Sequence, residues 1–411
     1  MHSHASLITP TRNMRQVMHQ VMQHTMRRMA KPGAGWATDM AVAVGLCLAL
    51  ATAPAAAKPT TPGPAPVLTT EAQLQDPAQA AGLEAFWQQG GTPLAFFTGA
   101  GGLQLAWRAF VQADRRLERG AIVLVSGRTE TMLKAKELVH DLWRNGWSVY
   151  LYDHRGQGLS QREPAVATAA LRQHGDVGRF DDYVDDLRAF LRGVVQPAGH
   201  HQHGLLAHSM GGAIAALLLE AGGPQAALFG AAALMSPMLA ITGLLQQPAD
   251  YGLCSAARGA TLIGLGASYL PGGGDWRDKG ANNNPYTSSP IRYARFMAEY
   301  QRNDAVRLGS ATLRWTAEAC DAAARARAGA AQLRLPLLLV IGAHDRIVHS
   351  SGARTFCAAV RQANPARGCG GEAGGPVVLP GGRHELLIEA DAIRNMALTR
   401  VLQFFETYLA K

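Results

Sequence analysis

A stretch around residue 209 constrains the fold of this chain more than any other part of its sequence. An apolar run over residues 204–207 leads into Ser209, and small residues dominate the helix-like stretch 211–221 that follows. Ala207 and Gly211 lie two positions before and two positions after the serine. Small residues there permit a sharp turn from a strand into a helix, which holds the serine side chain above the end of a sheet. The stretch therefore predicts a nucleophilic serine on a strand–turn–helix.

Short apolar runs alternate with longer helical stretches from residue 95 onwards. Strands are predicted at residues 103–110, 121–125, 148–152, 204–207, 229–235, 335–341 and 376–379, and helices at 132–145, 180–192, 211–221 and 390–408. This alternation predicts the α/β class, with a mostly parallel central sheet flanked by helices. Over residues 237–334 it gives way to apolar helical pieces at 262–270 and 291–300 around a Gly/Asn-rich loop. We expect this interruption to be a helical cap, inserted before the strand that precedes Asp345.

A serine needs a general base, held in place by a carboxylate, to act as a nucleophile. In folds of this kind the acid and the histidine follow the serine in that order along the chain. Asp345 comes after the 335–341 strand and His384 after the 376–379 strand, so both lie at carboxyl ends of strands, where open α/β sheets place their sites. We therefore expect Ser209, Asp345 and His384 to form a catalytic triad.

Acyl transfer also needs hydrogen-bond donors for the oxyanion that develops on the substrate carbonyl. The backbone N–H of Met210 follows the nucleophile directly and lies at a helix N-terminus. The second donor should come from the loop after the 121–125 strand, and we assign it to the N–H of Arg128. His344, next to the expected triad acid, is interpreted as an ordinary loop side chain.

Five short strings together carry a family resemblance. They are SGRTE (126–130), DHRGQGLS (153–160), GRFDDYVDDL (178–187), AHSMGGA (207–213) and GGRHE (381–385). This set resembles the bacterial lysophospholipase branch of the monoacylglycerol-lipase-like, serine aminopeptidase-like hydrolases, over roughly residues 95–408. The resemblance implies an α/β-hydrolase fold with a mobile cap, hydrolysis of monoacyl lipid esters, no cofactor and no metal, with the triad and oxyanion residues named above. The assignment of Arg128 as a donor follows less directly from the resemblance, because Ser126 stands where the wider superfamily commonly has histidine.

Two alternatives to a lipid esterase remain open at this point. A general carboxylesterase or a serine aminopeptidase would use the same scaffold, and acidic residues in the cap could serve a peptidase as an anchor for a free amine. A non-catalytic exported binding module is the alternative from another class. It is disfavoured because all three expected triad residues are present.

The cap region is rich in apolar residues. We expect Leu262, Ile263 and Leu265 to line an acyl-chain channel above Ser209, and the cap to contact a membrane surface. The expected partner is thus a lipid or a small ester. The competing interpretation is that these apolar residues only pack the cap against the sheet.

The N-terminal 57 residues have the pattern of a signal peptide. A basic patch at residues 27–31 precedes an apolar core that begins at Met40, and three alanines end it at Ala57. We expect an exported protein, periplasmic or secreted, with retention as a membrane anchor through residues 40–57 as the alternative. The methionine-rich start favours a start codon assigned too early. A Pro-rich linker and N-terminal segment over 58–94 should then lead into a hydrolase domain over 95–408.

Four cysteines follow the expected signal: Cys254, Cys320, Cys357 and Cys369. An even number in an oxidising compartment permits two disulfides with three connectivities. Cys357 and Cys369 enclose a short loop, so they are the pair we expect to be joined.

Charge argues against nucleic acid as a partner. The formal net charge is +9, of which +4 lies in residues 1–57, and no lysine-rich block or zinc-finger spacing follows. The glycine-rich stretch 153–158 lacks the full dinucleotide-binding pattern, so we interpret it as a structural loop. The aspartates of the 181–186 stretch are interpreted as a solvated helix face.

Overall fold

A mostly parallel sheet of eight strands lies at the centre of the computed structural model, which describes residues 65–409 except 165–167, 169, 244–246 and 249–251. The strands are β1 (Ala95–Thr98), β2 (Gln104–Phe110), β3 (Gly120–Val125), β4 (Trp147–Tyr152), β5 (His203–His208), β6 (Phe229–Met235), β7 (Leu337–Gly342) and β8 (Val377–Leu379). Their spatial order is β1-β2-β4-β3-β5-β6-β7-β8. The β1–β2 and β2–β4 pairs are antiparallel, and the remaining pairs are parallel.

Helices cover both faces of this sheet. They are α1 (Glu71–Gln75), α2 (Pro77–Gln89), α3 (Lys136–Arg144), α4 (Asp181–Phe190), α5 (Met210–Ala221), α6 (Leu253–Leu262), α7 (Pro290–Arg302), α8 (Leu313–Gly329), α9 (Ser350–Ala363) and α10 (Asp391–Tyr408). Helices α4, α5, α8 and α9 contribute to the hydrophobic core on one face, and α3 and α10 to the core on the other. The predicted α/β fold class is confirmed.

Strand β3 shows why the sequence pattern located the central strands correctly. Ala121, Val123 and Val125 pack into one core, whereas Ile122 and Leu124 pack into the other. Side chains alternate between the two faces of a strand, and both faces are covered here, so the whole run must be apolar. Strand β1 escaped prediction: unlike the central strands, it is an edge strand of four residues, of which only Phe97 is buried.

The region between β6 and β7 is the long insertion that the sequence indicates. The helical piece expected at 262–270 is wrong: α6 covers Leu253–Leu262, and Gly264 follows it with a φ of 88°. The piece expected at 291–300 corresponds to α7, whose N-cap Ser289 accepts a hydrogen bond from the Arg292 N–H. The last helix of the region, α8, packs in the hydrophobic core of the sheet domain and is therefore not part of the cap. We call the residues before it, 237–312, the cap segment.

The N-terminal part of the described chain packs against the sheet domain rather than extending away from it. Helices α1 and α2 lie within the stretch expected as a linker and N-terminal segment, 58–94. The Thr69 N–H and hydroxyl both donate to the buried carboxylate of Asp141, which also accepts from Arg394. The expected signal peptide, residues 1–57, lies outside the described residues. Within the part of the chain that the structure describes, no helix is both long and apolar enough to span a bilayer.

Two disulfides join elements around the sheet. Cys254 in α6 is bonded to Cys320 in α8, and Cys357 in α9 is bonded to Cys369. The second is the pair expected from the sequence. The first attaches the first helix of the cap segment to a helix of the sheet domain.

Replacing each cysteine pair by serine should lower the free energy of unfolding by an amount that grows with the logarithm of the length of the loop that the pair closes. The Cys254–Cys320 bond spans 66 residues and the Cys357–Cys369 bond 12. We expect losses of about 4 and about 3 kcal/mol, respectively, from the chain entropy of the unfolded state. Urea unfolding measures both. Four free thiols in the oxidised wild-type protein would contradict the pairing.

Candidate active site

Ser209 lies on a strained turn between β5 and α5. Its φ is 51° and its ψ −118°, a conformation that costs on the order of 1–3 kcal/mol for a residue with a Cβ atom. The turn also requires glycine at position 211, because a Cβ atom there would lie 2.2 Å from the Val125 carbonyl oxygen. The helix therefore starts hard against the end of β3. The strand–turn–helix predicted from the sequence is present.

The side chains of Asp345, His384 and Ser209 form one hydrogen-bonded chain. The Nδ1–H of His384 donates to Asp345 Oδ2 at 2.8 Å, and the Ser209 hydroxyl donates to His384 Nε2 at 2.9 Å. Asp345 and His384 follow β7 and β8, so three strand ends that are distant in sequence bring these residues together. His384 is oriented to accept the proton of Ser209.

Asp345 is held as a carboxylate. Burial tends to raise its pKa, but the facing His384 ring and two backbone hydrogen bonds outweigh burial, so the pKa lies below its usual value. Those hydrogen bonds come from the N–H groups of Ile347 and Val348, at 2.8 and 3.1 Å from Oδ1. Oδ2 remains available for the histidine.

The two expected oxyanion donors belong to segments next to Ser209. Met210 is the first residue of α5, and a Cβ atom on Gly127 would lie 3.0 Å from Ser209 Cβ, so the 126–130 loop touches the serine. Among the described residues, the N–H groups of Met210 and Arg128 have no other hydrogen-bond acceptor. Both are therefore free to donate to a substrate oxygen.

The glycine-rich stretch 153–158 holds this loop in place. The Nε2–H of His154 donates to the Ser126 carbonyl at 2.9 Å, and the Gln157 amide donates to the carbonyls of Gly127 and Glu130 at 2.7 and 3.1 Å. The structural role expected for the stretch agrees with these bonds.

The Arg128 side chain connects the same loop to the cap segment. Its guanidinium donates to the carbonyls of Gly309 and Ser310 at 3.0 and 2.9 Å, and lies over the Trp315 ring at 4.8 Å. Burial lowers the pKa of Arg128 to about 10, so it stays protonated at neutral pH. A displacement of the cap segment would therefore act on the loop that carries the expected oxyanion donor.

A buried cluster of charged residues lies behind the Ser–His–Asp chain, and sequence analysis missed it. His208 Nδ1 lies 2.5 Å from Glu130 Oε1, and His208 Nε2 lies 3.2 Å from the His384 carbonyl oxygen. A carboxylate and a carbonyl only accept hydrogen bonds, so both ring nitrogens must carry protons and His208 is an imidazolium. Burial opposes this charge, but Glu385 and Glu130 outweigh it and raise the pKa of His208 to about 9.

The same cluster holds three side chains of the types that bind metals. Oxygen and nitrogen atoms of Glu130, His208 and Glu385 lie within 4.8 Å of one another. However, the Lys134 ammonium forms a hydrogen bond with Glu385 and lies 3.5 Å from Glu130 Oε1. The Lys134 ammonium thus supplies the positive charge that a metal ion would supply between these carboxylates. The one available sequence signal was that two glutamates and a histidine stand in the same strings as the expected site residues.

The structure does not place the expected acyl-channel residues beside Ser209. Leu262, Ile263 and Leu265 are 87%, 75% and 49% exposed, and none of them lines the cavity next to the site. That cavity has a volume of about 490 Å³ and lies between the 272–280 loop, α7 and the 126–130 loop. The channel assignment is therefore corrected, because the side chains at the end of α6 and just after it face solvent.

A mostly parallel eight-stranded sheet with an ordered Ser–His–Asp chain at the carboxyl ends of its strands defines an α/β-hydrolase. A family model described as "Serine aminopeptidase, S33" matches residues 117–391. The chain belongs to this family.

Several other proteins are similar to this chain over most of its length. Lysophospholipase L2 of Escherichia coli strain K12 is 34% identical over 323 residues, covering 79% of this chain and 89% of that protein. Probable lysophospholipase L2 of Haemophilus influenzae is 29% identical over 312 residues, covering 76% and 91%. A soluble variant of monoglyceride lipase from Saccharomyces cerevisiae has a similar fold, with a TM-score of 0.58, 16% identity and coverage of 78% and 97%. The protein is an ester hydrolase of the α/β-hydrolase class.

Stability should depend on the protonation of His208. The pKa of His208 is raised to about 9 in the folded protein. The charged ring therefore contributes fully to the free energy of unfolding below the pKa of about 6.5 that histidine has in the unfolded chain, and this contribution is lost as the pH rises through 9. In His208→Gln we expect the free energy of unfolding to fall by roughly 1–3 kcal/mol at pH 6, and by much less at pH 10. Urea unfolding across this range measures the difference. His201→Gln, at an exposed position, is the matched control, and an equal loss at both pH values would contradict the prediction.

Proposed function

We propose that this protein hydrolyses the carboxylic ester of monoacyl lipids, namely lysophospholipids and monoacylglycerols. The observation that carries the proposal is the hydrogen-bonded chain from Asp345 through His384 to Ser209, on a strained turn with two free N–H donors beside it. The names of the relatives from Escherichia coli and Haemophilus influenzae support a lysophospholipid as the substrate.

In the proposed mechanism, Ser209 Oγ attacks the acyl carbonyl while His384 Nε2 takes the hydroxyl proton. Asp345 keeps the ring in the tautomer that presents Nε2 to the serine and stabilises the imidazolium that forms. The N–H groups of Met210 and Arg128 donate to the oxyanion, and each such donor typically contributes about 3–4 kcal/mol of transition-state stabilisation. His384 then protonates the leaving glycerol oxygen. A water molecule, deprotonated by the same nitrogen, hydrolyses the acyl-enzyme.

Ser209→Ala, His384→Ala and Asp345→Asn should each reduce kcat for a monoacyl ester by roughly 10⁴-fold or more. The three groups act as a unit, so double variants should be hardly worse than the worst single variant. Hydrolysis of lysophosphatidylethanolamine and monoolein, followed by fatty-acid release, measures the effect. Labelling by a fluorophosphonate should disappear in Ser209→Ala.

His344→Ala is the matched control for these variants. It removes an exposed histidine immediately before Asp345 and should leave kcat unchanged. Near-full activity of Asp345→Asn would mean that another acid orients His384. Preferential hydrolysis of amino-acid anilides over monoolein would favour the serine aminopeptidase alternative, and preferential hydrolysis of acetate esters would favour a general carboxylesterase.

We also propose that the cap segment docks on a lipid surface through Leu262, Ile263 and Leu265. Apart from Arg258, the exposed residues of α6 are small or apolar, namely Ser255, Ala256, Gly259 and Leu262, whereas surface helices normally turn mostly polar residues to water. Residues 252–274 contain a single charge, Arg258, which is paired with Asp321. The Cys254–Cys320 bond holds α6 in this orientation. Leu265 lies seven residues before Gly272, where the loop that lines the cavity begins.

The Leu262→Asp/Ile263→Asp double variant should lose binding to phospholipid vesicles by roughly 10²-fold, because each buried leucine or isoleucine side chain contributes about 1.5–3 kcal/mol. Turnover of a soluble short-chain ester should stay unchanged. Co-sedimentation with vesicles measures binding. Leu117→Asp is the matched control, since Leu117 is equally exposed but lies in the loop before β3, at the opposite end of the sheet. Equal vesicle binding by the double variant and wild type would remove the docking proposal.

We further propose that the chain is exported to the periplasm or secreted. The signal-like pattern of residues 1–57 supports this, as do two disulfides in the described part of the chain, because disulfides persist in oxidising compartments. Fractionation of cells that express the full chain, with a cytoplasmic marker enzyme as reference, tests the location.

A further inference from the structure

The cavity of about 490 Å³ described above is lined by close chain neighbours of the Ser–His–Asp residues, although none of those three side chains lines it. Arg128 and Thr129 line it and follow Gly127, which touches Ser209; Glu385 lines it and follows His384. Its outer wall is the 272–280 loop of the cap segment. A group attached to the ester oxygen of a substrate bound at Ser209 would therefore have this cavity within reach.

The charged groups deep in the cavity already have protein partners. The Arg128 guanidinium donates to carbonyls of the cap segment, and Lys134 is paired with Glu385. The rim differs. In the described part of the chain, neither the Arg277 guanidinium nor the Lys279 ammonium has a hydrogen bond or an ion pair, and the Lys279 ammonium lies 5.8 Å from the centre of the Tyr286 ring.

The rim also carries two carboxylates, Asp275 and Asp278. Asp275 accepts from the Tyr269 hydroxyl at 2.6 Å, and Asp278 accepts from the Tyr293 hydroxyl at 2.7 Å. Neither forms an ion pair within 4 Å with a cation of the rim, so the two positive and two negative charges stay separate. These four charges sum to zero and offer both signs at distinct positions.

We propose that this cavity binds the head group of a zwitterionic lysophospholipid, with the phosphodiester at Arg277 and Lys279 and the ammonium at Asp275 and Asp278. The proposal rests on the proposed function and specifies its substrate. A guanidinium and an ammonium suit a phosphodiester, and a pair of carboxylates suits an alkylammonium group. The aromatic rings of the rim already have cations of the protein beside them, because the Arg307 guanidinium lies 5.0 Å from the centre of the Trp276 ring and the Lys279 ammonium lies 5.8 Å from that of Tyr286. A glycerol head group offers neither charge, and a head group with only negative charge would face the two carboxylates.

The Arg277→Gln/Lys279→Gln double variant tests the proposal. The ratio of kcat/KM for lysophosphatidylcholine to kcat/KM for a monoacylglycerol of the same acyl chain should fall about tenfold, and the fall should lie in KM. The matched control is Arg192→Gln/Arg400→Gln, which removes the same charge from two exposed positions that do not line the cavity. That control should keep the wild-type ratio.

Inhibition by soluble head groups gives a second measurement. Glycerophosphocholine should inhibit wild-type hydrolysis of monoacylglycerol competitively, and about tenfold less strongly in the Arg277→Gln/Lys279→Gln variant. Inorganic phosphate at the same concentration should inhibit neither, whereas equal inhibition by phosphate would show a simple anion site and overturn the zwitterion assignment.

The outcomes separate this inference from the proposed function. An unchanged ratio in the double variant, with both lipids hydrolysed through Ser209, overturns the head-group assignment alone. Equal loss on both lipids would show that the loop only shapes the site, and overturns it as well. Failure of the wild-type protein to hydrolyse either lipid would remove the proposed function, and this inference with it.

Discussion

The close contact between the start of α5 and the end of β3 is the constraint on which the site depends. Because the backbone of Gly211 lies against Val125, the chain must turn sharply at Ser209, and the serine takes a positive φ. Such strain persists only where the surroundings over-determine it. Here the surroundings are two strands buried on both faces and a helix of small residues, so the rigid sheet fixes the position of the nucleophile.

The 126–130 loop is the second part of the site whose position is fixed by contacts with several elements. It touches Ser209, is held from one side by His154 and Gln157, and is attached to the cap segment through the Arg128 side chain. Glu130, at its end, belongs to the buried charged cluster that also hydrogen-bonds the His384 backbone. The loop therefore links the nucleophile, the histidine and the cap segment through direct contacts.

The sequence was most informative where structure is local or where burial is complete. The central strands were predicted because both of their faces are covered, and the position of Asp345 follows from the end of such a strand. His384 follows the short edge strand β8, which was predicted from its apolar residues although Val378 is exposed. The sequence was least informative for charged residues. Asp186 was interpreted as solvated but is buried and paired with Arg155, because its partner lies 31 residues away on another element.

The amino-acid sequence by itself determined the fold class, the tight turn at Ser209 and the identity of the residues that meet there, since these depend on hydrophobic periodicity and small residues at fixed spacings. Only the tertiary structure decided that His208 is an imidazolium, because its charge depends on Glu130 and Glu385, which come from distant parts of the chain. It also decided that Leu262 and Ile263 face outward. The apolar character of a helix is a property of its sequence, whereas the direction it faces is set by the elements that pack against its other side.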